Sequence, residues 1–375
     1  MKIGIIGGGT AGLTTALALQ KAGVSFHLFE QAESFREVGA GIMLNKVTKK
    51  ILHSLGIGNQ FDKAVNPITK FTIVNKHLQP VKRIPYNEIG FAIHRPRLIE
   101  ILSNEINKDV CSLNSRITEI SIENKVTVKN NATTYDFDAL IAADGIKSVV
   151  RQQFLPEVKP EYIGQTMWRG MVNMPLNDFF KNGVAELWGD NKRFGIMHKG
   201  GNEYFWYAIR WAKEGEVDVP DVKQYLQNLF SSYHSTVKEI IANGTNIIRT
   251  DLKHIPQTGF NWYHQNIAFV GDAIHAVTPD ISQGACQAVE GAYLLASLLK
   301  NCTTPDEAFK QYQQIRYAKL KLVQQASYQF SRFSHQRKNW QYNGLFMLFN
   351  ILPNAFLRKK FTETIDINYL QPYFF

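Results

Sequence analysis

Cysteine is scarce in this chain, with three among 375 residues: Cys111, Cys286 and Cys302. An odd number, widely spaced and without a CxxC pair, excludes a disulfide framework, a cysteine-built zinc site and a dithiol redox centre; no metal site is expected. Long hydrophobic runs are missing too, and none reaches the length of a membrane-spanning helix. The chain opens directly on the strand-like run KIGIIGG, leaving no room for a cleavable leader, so the cytoplasm is the expected compartment. Acidic residues are the scarcer charge: 32 Asp and Glu face 42 Lys and Arg, a net charge of +10. The basic residues are scattered, with short clusters only at Lys49-Lys50 and Arg358-Lys359-Lys360. No basic stripe interleaved with aromatics exists, which argues against nucleic acid. A basic surface suits an enzyme that attracts an anionic dinucleotide or substrate.

What remains is an ordinary folded composition, 45% hydrophobic and 20% charged, long enough for two domains sharing a large core. Residues 2–6 read as a buried parallel strand, 11–22 as a helix and 25–29 as a second strand, a βαβ opening. A helix over about 46–55 ends at Gly56, and another spans Arg97–Ile106. Residues 71–92 read as short strand pieces broken by Pro80, Pro85 and Gly90. A hairpin pattern runs from Ile117 to Val128, and 139–143 is a buried strand. Between Tyr162 and Arg210 aromatics alternate in the manner of an antiparallel sheet. Helix returns over 221–242, a buried strand over 266–270, then two long helices, the second over about 305–330. The reading is an α/β fold: a Rossmann-like, three-layer nucleotide-binding domain interrupted by a mostly antiparallel substrate sheet and followed by C-terminal helices. The expected boundaries are 1–70, 93–160 and 265–330 for the discontinuous first domain. The second takes 71–92 and 161–264, with 331–375 as a helical tail.

Three motifs carry chemistry. Gly7-Gly8-Gly9-Thr10-Ala11-Gly12 is a GxGxxG between strand and helix. Its glycines permit the tight turn, the approach of a pyrophosphate and close helix–strand packing, while the helix N-terminus supplies N–H donors. Glu30, closing the next strand, can accept bonds from both ribose hydroxyls, which disfavours a 2′-phosphate there. The second motif is Ala142-Ala143-Asp144-Gly145, followed by Ser148 and Arg151. The third is Gly271-Asp272-Ala273-Ile274-His275, continuing through Thr278-Pro279-Asp280-Ile281-Ser282-Gln283-Gly284. The plainer alternatives are a turn aspartate for Asp144 and a helix cap for Asp272. No second nucleotide-binding glycine loop exists, so NADH or NADPH must visit a shared cleft.

In this order and spacing the three motifs resemble the aromatic-hydroxylase class of FAD monooxygenases, over nearly the whole chain. The resemblance implies FAD as cofactor and hydroxylation of a small aromatic or heteroaromatic substrate, with O2 and NAD(P)H, through an oxygen adduct of the reduced flavin. It implies that Asp272 binds the ribityl chain, that Pro279, Gln283, Gly284 and Ala285 bring a helix N-terminus to the flavin ring, and that Arg95 lies along FAD. Gly7, Gly9, Ala11, Gly12, Glu30, Gln31, Gly41, Met43, Ile117, Asp144 and Gly145 complete the implied cofactor set, with Gly39 and Gly41 on a loop beside the flavin. Locally the chain is similar to FAD-dependent urate hydroxylases, through Arg193 and the Thr-Pro-Asp-Ile-x-Gln-Gly run. Their active-site tyrosine falls at Phe205 here.

Arg193 and Asp280 are the expected catalytic pair, facing one pocket. The arginine's planar fork suits an anionic or carbonyl-rich substrate, and Asp280 orients it or accepts a proton. Trp168, Phe205 and Tyr207 are the expected substrate wall, beside Arg193. A solvated strand arginine is the equal alternative for Arg193, and sheet core the commoner fate of any one aromatic. His275 reads as packing on its turn. Residues 342–361, apolar with a basic end, cap the core, contact a second copy, or lie peripherally on a membrane; monomer and homodimer both stand. Two other functions remain open: an FAD-linked dehydrogenase, reductase or epoxidase acting on an isoprenoid or polyene, and a non-catalytic flavin binder. The sequence lacks the Trp-x-Trp-x-Ile-Pro run of flavin halogenases.

Overall fold

The computed structural model describes residues 1–35, 41–131, 133–335, 339–365 and 368–374. The first half of the chain gives strands β1 (Lys2–Ile6), β2 (Ser25–Phe29), β3 (Gly41–Leu44), β4 (Asn66–Asn75), β5 (Pro80–His94), β6 (Cys111–Ser112), β7 (Ile117–Ile122), β8 (Val126–Asn130), β9 (Thr134–Phe137) and β10 (Ala139–Ala142). The second gives β11 (Glu161–Asn173), β12 (Gly183–Gly189), β13 (Lys192–Gly200), β14 (Glu203–Trp211), β15 (Thr245–His254), β16 (Tyr263–His264) and β17 (Ile267–Phe269).

The strands form three sheets. β1, β2, β6, β10 and β17 pair in parallel in the order β17-β10-β1-β2-β6, with β16 added antiparallel at one edge. β1 and β10 are apolar and buried on both faces: helix Thr10–Ala22 packs on one side, and β9 on the other sets Phe137 against Phe29 and the backbone of Gly4. The covering helix Thr10–Ala22 stops at Gly23, whose left-handed backbone (φ 73°) is open to glycine without strain. β7, β8 and β9 make a small meander, one strand more than the expected hairpin.

The substrate sheet has eight strands in the order β15-β11-β14-β13-β12-β4-β5-β3, antiparallel throughout except at β12 and β4. It starts earlier than sequence punctuation suggests, because Gly41–Leu44 and Asn66–Asn75 belong to it. The prolines do not break β5 into pieces: a register shift between Ile68 and Lys70 takes up the disturbance where Lys70 faces Pro85. Strict alternation divides this sheet. Ala185, Leu187, Phe194, Ile196, Tyr204 and Trp206 pack under helices Val222–Leu229 and Ser235–Asn243. Those two helices replace the single one expected over 221–242, with residues 230–234 between them.

Helix Pro305–Ser334 runs 30 residues along both sheets. The tail then forms helices Asn339–Ile351 and Asn354–Thr362, separated at Leu352-Pro353 because a residue before proline disfavours helical backbone. No helix among the described residues is long and apolar enough to cross a membrane.

Candidate active site

The other face of the substrate sheet and the ends of β1, β10 and β17 enclose one cavity of about 2110 Å³. That exceeds the roughly 300–1,000 Å³ typical of a single-ligand site, and so has room for a dinucleotide and a substrate together. On the nucleotide side it is lined by Gly9, Ala11, Gly41, Met43, Arg95 and Gly145, with Asp272, Pro279, Gly284 and Ala285 across from them. Two helices begin here, Thr10–Ala22 and Gly284–Asn301, and neither has a capping side chain at its N-terminus. Their first-turn N–H groups remain as donors.

The glycine loop is shaped as its pattern demands. Gly7 sits at φ +105°, and a Cβ on Gly12 would lie 1.8 Å from the Gly7 carbonyl oxygen. The Glu30 carboxylate accepts from Gly8 N–H at 2.6 Å and Ala32 N–H at 2.8 Å, fixing it at the end of β2. Asp272 opens on the cavity although protein surrounds it; that burial raises its carboxyl above the usual range, with Arg95 opposing. Asp144 faces away: its Oδ2 accepts from Val149 and Val150 N–H, capping the short helix Val149–Phe154. Arg151, buried, ties the second and third motifs together by donating to the carbonyls of Ile146 (2.7 Å) and Ala273 (2.5 Å). Uncapped helix ends, a glycine cradle and the inward carboxylate of Asp272 fit FAD, which Gly9, Ala11, Arg95, Asp272, Gly284 and Ala285 would hold. Asp272→Ala should therefore lower retained FAD at least severalfold after dialysis, measured by flavin absorbance; unchanged content would remove the assignment.

The substrate side is a buried polar cluster. Arg193 is fully buried on β13, so it is not a solvated strand arginine. One guanidinium nitrogen donates to Glu186 Oε1 at 3.3 Å and the other to Asp280 Oδ1, and both side chains are sealed from solvent. Tyr207 donates to Glu186 Oε1 at 3.1 Å, and Trp188 Nε1 to Glu186 Oε2 at 2.9 Å. Burial pushes the Glu186 carboxyl up against the pull of Arg193, and pushes the Tyr207 phenol well up. Asp280 Oδ2 and Arg193 Nε have no partner. Gly195 is required beside them, since a Cβ there would meet the Tyr207 ring at 2.0 Å.

Several expected residues sit elsewhere. Trp168 is not a cavity wall: it points to the opposite face and donates to Asp218 at 2.9 Å, because its position on β11 alternates away. Phe194 shares that core, as does Trp206, which also touches the cavity. Gln283 turns inward to accept from Asn45 at 3.1 Å. Gln31 is exposed, Ile117 packs against the main core, and neither lines the cavity. Phe205 lines it, stacked on His94 at 6.2 Å. His275 packs on Trp262 and Tyr312, its pKa lowered to about 3 by burial. Gly39 lies outside the described residues. Glu186 is an addition to the expected site, and its signal in the sequence is a lone carboxylate in the otherwise apolar strand VAELWG.

Residues 1–327 match the family model of the FAD binding domain. The aurachin C monooxygenase/isomerase of Stigmatella aurantiaca is 33% identical over 83% of this chain and 84% of its own. The chain belongs to the class A flavin monooxygenases. It is thus an FAD-dependent, NAD(P)H-using enzyme of the aromatic-hydroxylase type. The 2-heptyl-3-hydroxy-4(1H)-quinolone synthase of Pseudomonas aeruginosa is 27% identical over 96% of both chains. In fold, the chain is similar to HpxO of Klebsiella pneumoniae, solved with FAD and uric acid, at TM-score 0.88, 21% identity and coverage of 97% and 96%.

Proposed function

We propose that this monooxygenase hydroxylates a neutral heteroaromatic ring bearing an N–H group, held at Asp280 and Arg193. The observation that carries this is one buried guanidinium set against two carboxylates. Two carboxylates face the one guanidinium, so its charge is matched within the cluster. An anionic ring gains nothing from an arginine whose charge is already matched. With both carboxylates ionised it meets a net negative charge, a repulsion of about 4 kcal/mol at about 4 Å, roughly a thousandfold in affinity. A ring N–H instead satisfies Asp280 Oδ2, an acceptor whose lack of a partner costs about 1–3 kcal/mol.

FAD, when bound, supplies the oxygen transfer. The protein's part is to make the ring carbon electron-rich and keep water out. Asp280, drawing on the ring N–H proton, pushes electron density into the ring, and Phe205, Met197 and Val184 supply apolar wall. Lys147 and Lys159, exposed where they line the same cavity, are two cations that favour an approaching nicotinamide dinucleotide. The names of the relatives support the ring class, since the Pseudomonas enzyme is named for a 4(1H)-quinolone.

A panel pairing neutral N–H rings (4-quinolones, pyridones) with anionic ones (salicylate, urate, hydroxynicotinate) tests this through NAD(P)H oxidation and product mass. The neutral rings should accelerate oxidation and gain one oxygen. Preference for the anions by tenfold or more would overturn the reading.

A further inference from the structure

Beyond the polar cluster the cavity does not end. The cavity that holds Glu186 and Arg193 continues past Trp188 and Phe330 to Phe71, Ile73, Phe349 and Leu352, so its far wall is the pair of C-terminal helices. The connection is aromatic. Phe330 lies 5.7 Å from the Arg193 guanidinium and edge-on to Trp188 at 5.8 Å, and Trp188 in turn meets Phe349 at 5.7 Å. Lys82 fastens the wall by donating to the Leu352 carbonyl at 2.7 Å. Its polar lining residues are Tyr86, Gln325, Gln329, Glu363 and Thr364, set among a larger number of apolar ones.

We propose that this apolar chamber takes an aliphatic chain carried by the ring that is hydroxylated, so that the substrate is a ring with a tail. The proposal rests on the ring-binding reading above. Leu345, Leu348, Phe349 and Leu352 recur at helical spacing and line the cavity as a stripe, about 10 Å long at 1.5 Å per residue. A stripe of that length suits a chain better than a compact group. Leu348 and Phe356 line the cavity and are also 48% and 49% exposed, as is Phe333 at 52%. The chamber therefore reaches the surface through an apolar rim, and a chain laid there removes that rim from water.

The test is a homologous series, 2-methyl to 2-nonyl-4(1H)-quinolone, on the FAD-loaded enzyme. Binding is read from perturbation of the flavin absorbance and turnover from product mass. Each added methylene is worth about 0.8 kcal/mol when buried, so Kd should fall about fourfold per carbon and level off when the chamber is full. Leu345→Trp, which fills the chamber, should bring the plateau to shorter chains and shrink the nonyl-to-methyl preference at least tenfold. Leu348→Glu, at a half-exposed position the fold tolerates, should do the same. Equal Kd for methyl and nonyl compounds, or an unchanged profile in both variants, overturns the chamber. Should the ring class alone be mistaken, binding still tightens with chain length while no member of the series is hydroxylated.

Discussion

Asp280→Asn should lower coupled hydroxylation by about one to three powers of ten and divert reducing equivalents to hydrogen peroxide, with FAD content and melting temperature almost unchanged. The two halves of that expectation come from one count of charges. Arg193 is matched by Glu186 as well as Asp280, so removing the second carboxylate leaves a balanced buried pair. The penalty of about 3–5 kcal/mol for stranding a buried charge does not arise. Activity, by contrast, loses the acceptor that draws on the ring N–H. Parallel assays of NAD(P)H consumption, product and peroxide on the authentic substrate decide the matter. Coupling equal to wild type would leave Asp280 no part in the chemistry.

Most of this site could be read from the sequence, because its nucleotide half is written in backbone geometry. Gly7 and Gly12 are dictated by a turn and a close approach that few other residues can make, and such constraints leave a local pattern. Arg193 and Asp280, 87 residues apart, came together only through resemblance; nothing local in either stretch points to the other. Glu186 escaped because a carboxylate in an apolar strand has meaning only once its partners across β13 and β14 are known. Trp168 departs from the expected wall for a similar reason: alternation tells which residues share a face, but not which face meets the cavity. In the fold, the helices and parallel strands emerged from periodicity. The early strand Gly41–Leu44 and the continuity of β5 did not, since long-range pairing overrode four residues of weak pattern and two prolines.

Gly12→Val should yield protein without flavin, or no soluble protein. The added Cβ would stand 1.8 Å from the Gly7 carbonyl oxygen and 3.4 Å from the Ala143 side chain. The first contact is with backbone, which cannot rotate aside, so the helix Thr10–Ala22 must move away from β1. Overpacking of this kind costs about 1–3 kcal/mol in a core, and here it also tilts the uncapped N–H groups away from the pyrophosphate position. Flavin absorbance relative to protein, together with circular dichroism, separates the two outcomes. Normal loading with a native spectrum would show that the loop tolerates what its geometry forbids.

Helix Pro305–Ser334 touches both halves of the molecule along its length. Arg316 bonds to Glu290 at 3.0 Å within the nucleotide domain. Farther on, Ser327 meets Thr278 at 2.7 Å beside the third motif, and Ser331 contacts Gln165 at 3.0 Å on the substrate sheet. It therefore acts as a ruler, setting how far the flavin-side helix stands from Arg193 by counting peptide units. Side chains along it can be exchanged one at a time while the spacing survives. Gain or loss of a single residue would turn everything beyond it by about 100°, sweeping Phe330 from beneath the guanidinium. In descendants of this gene, length changes should accumulate in loops and the tail, while this stretch drifts in composition and keeps its count.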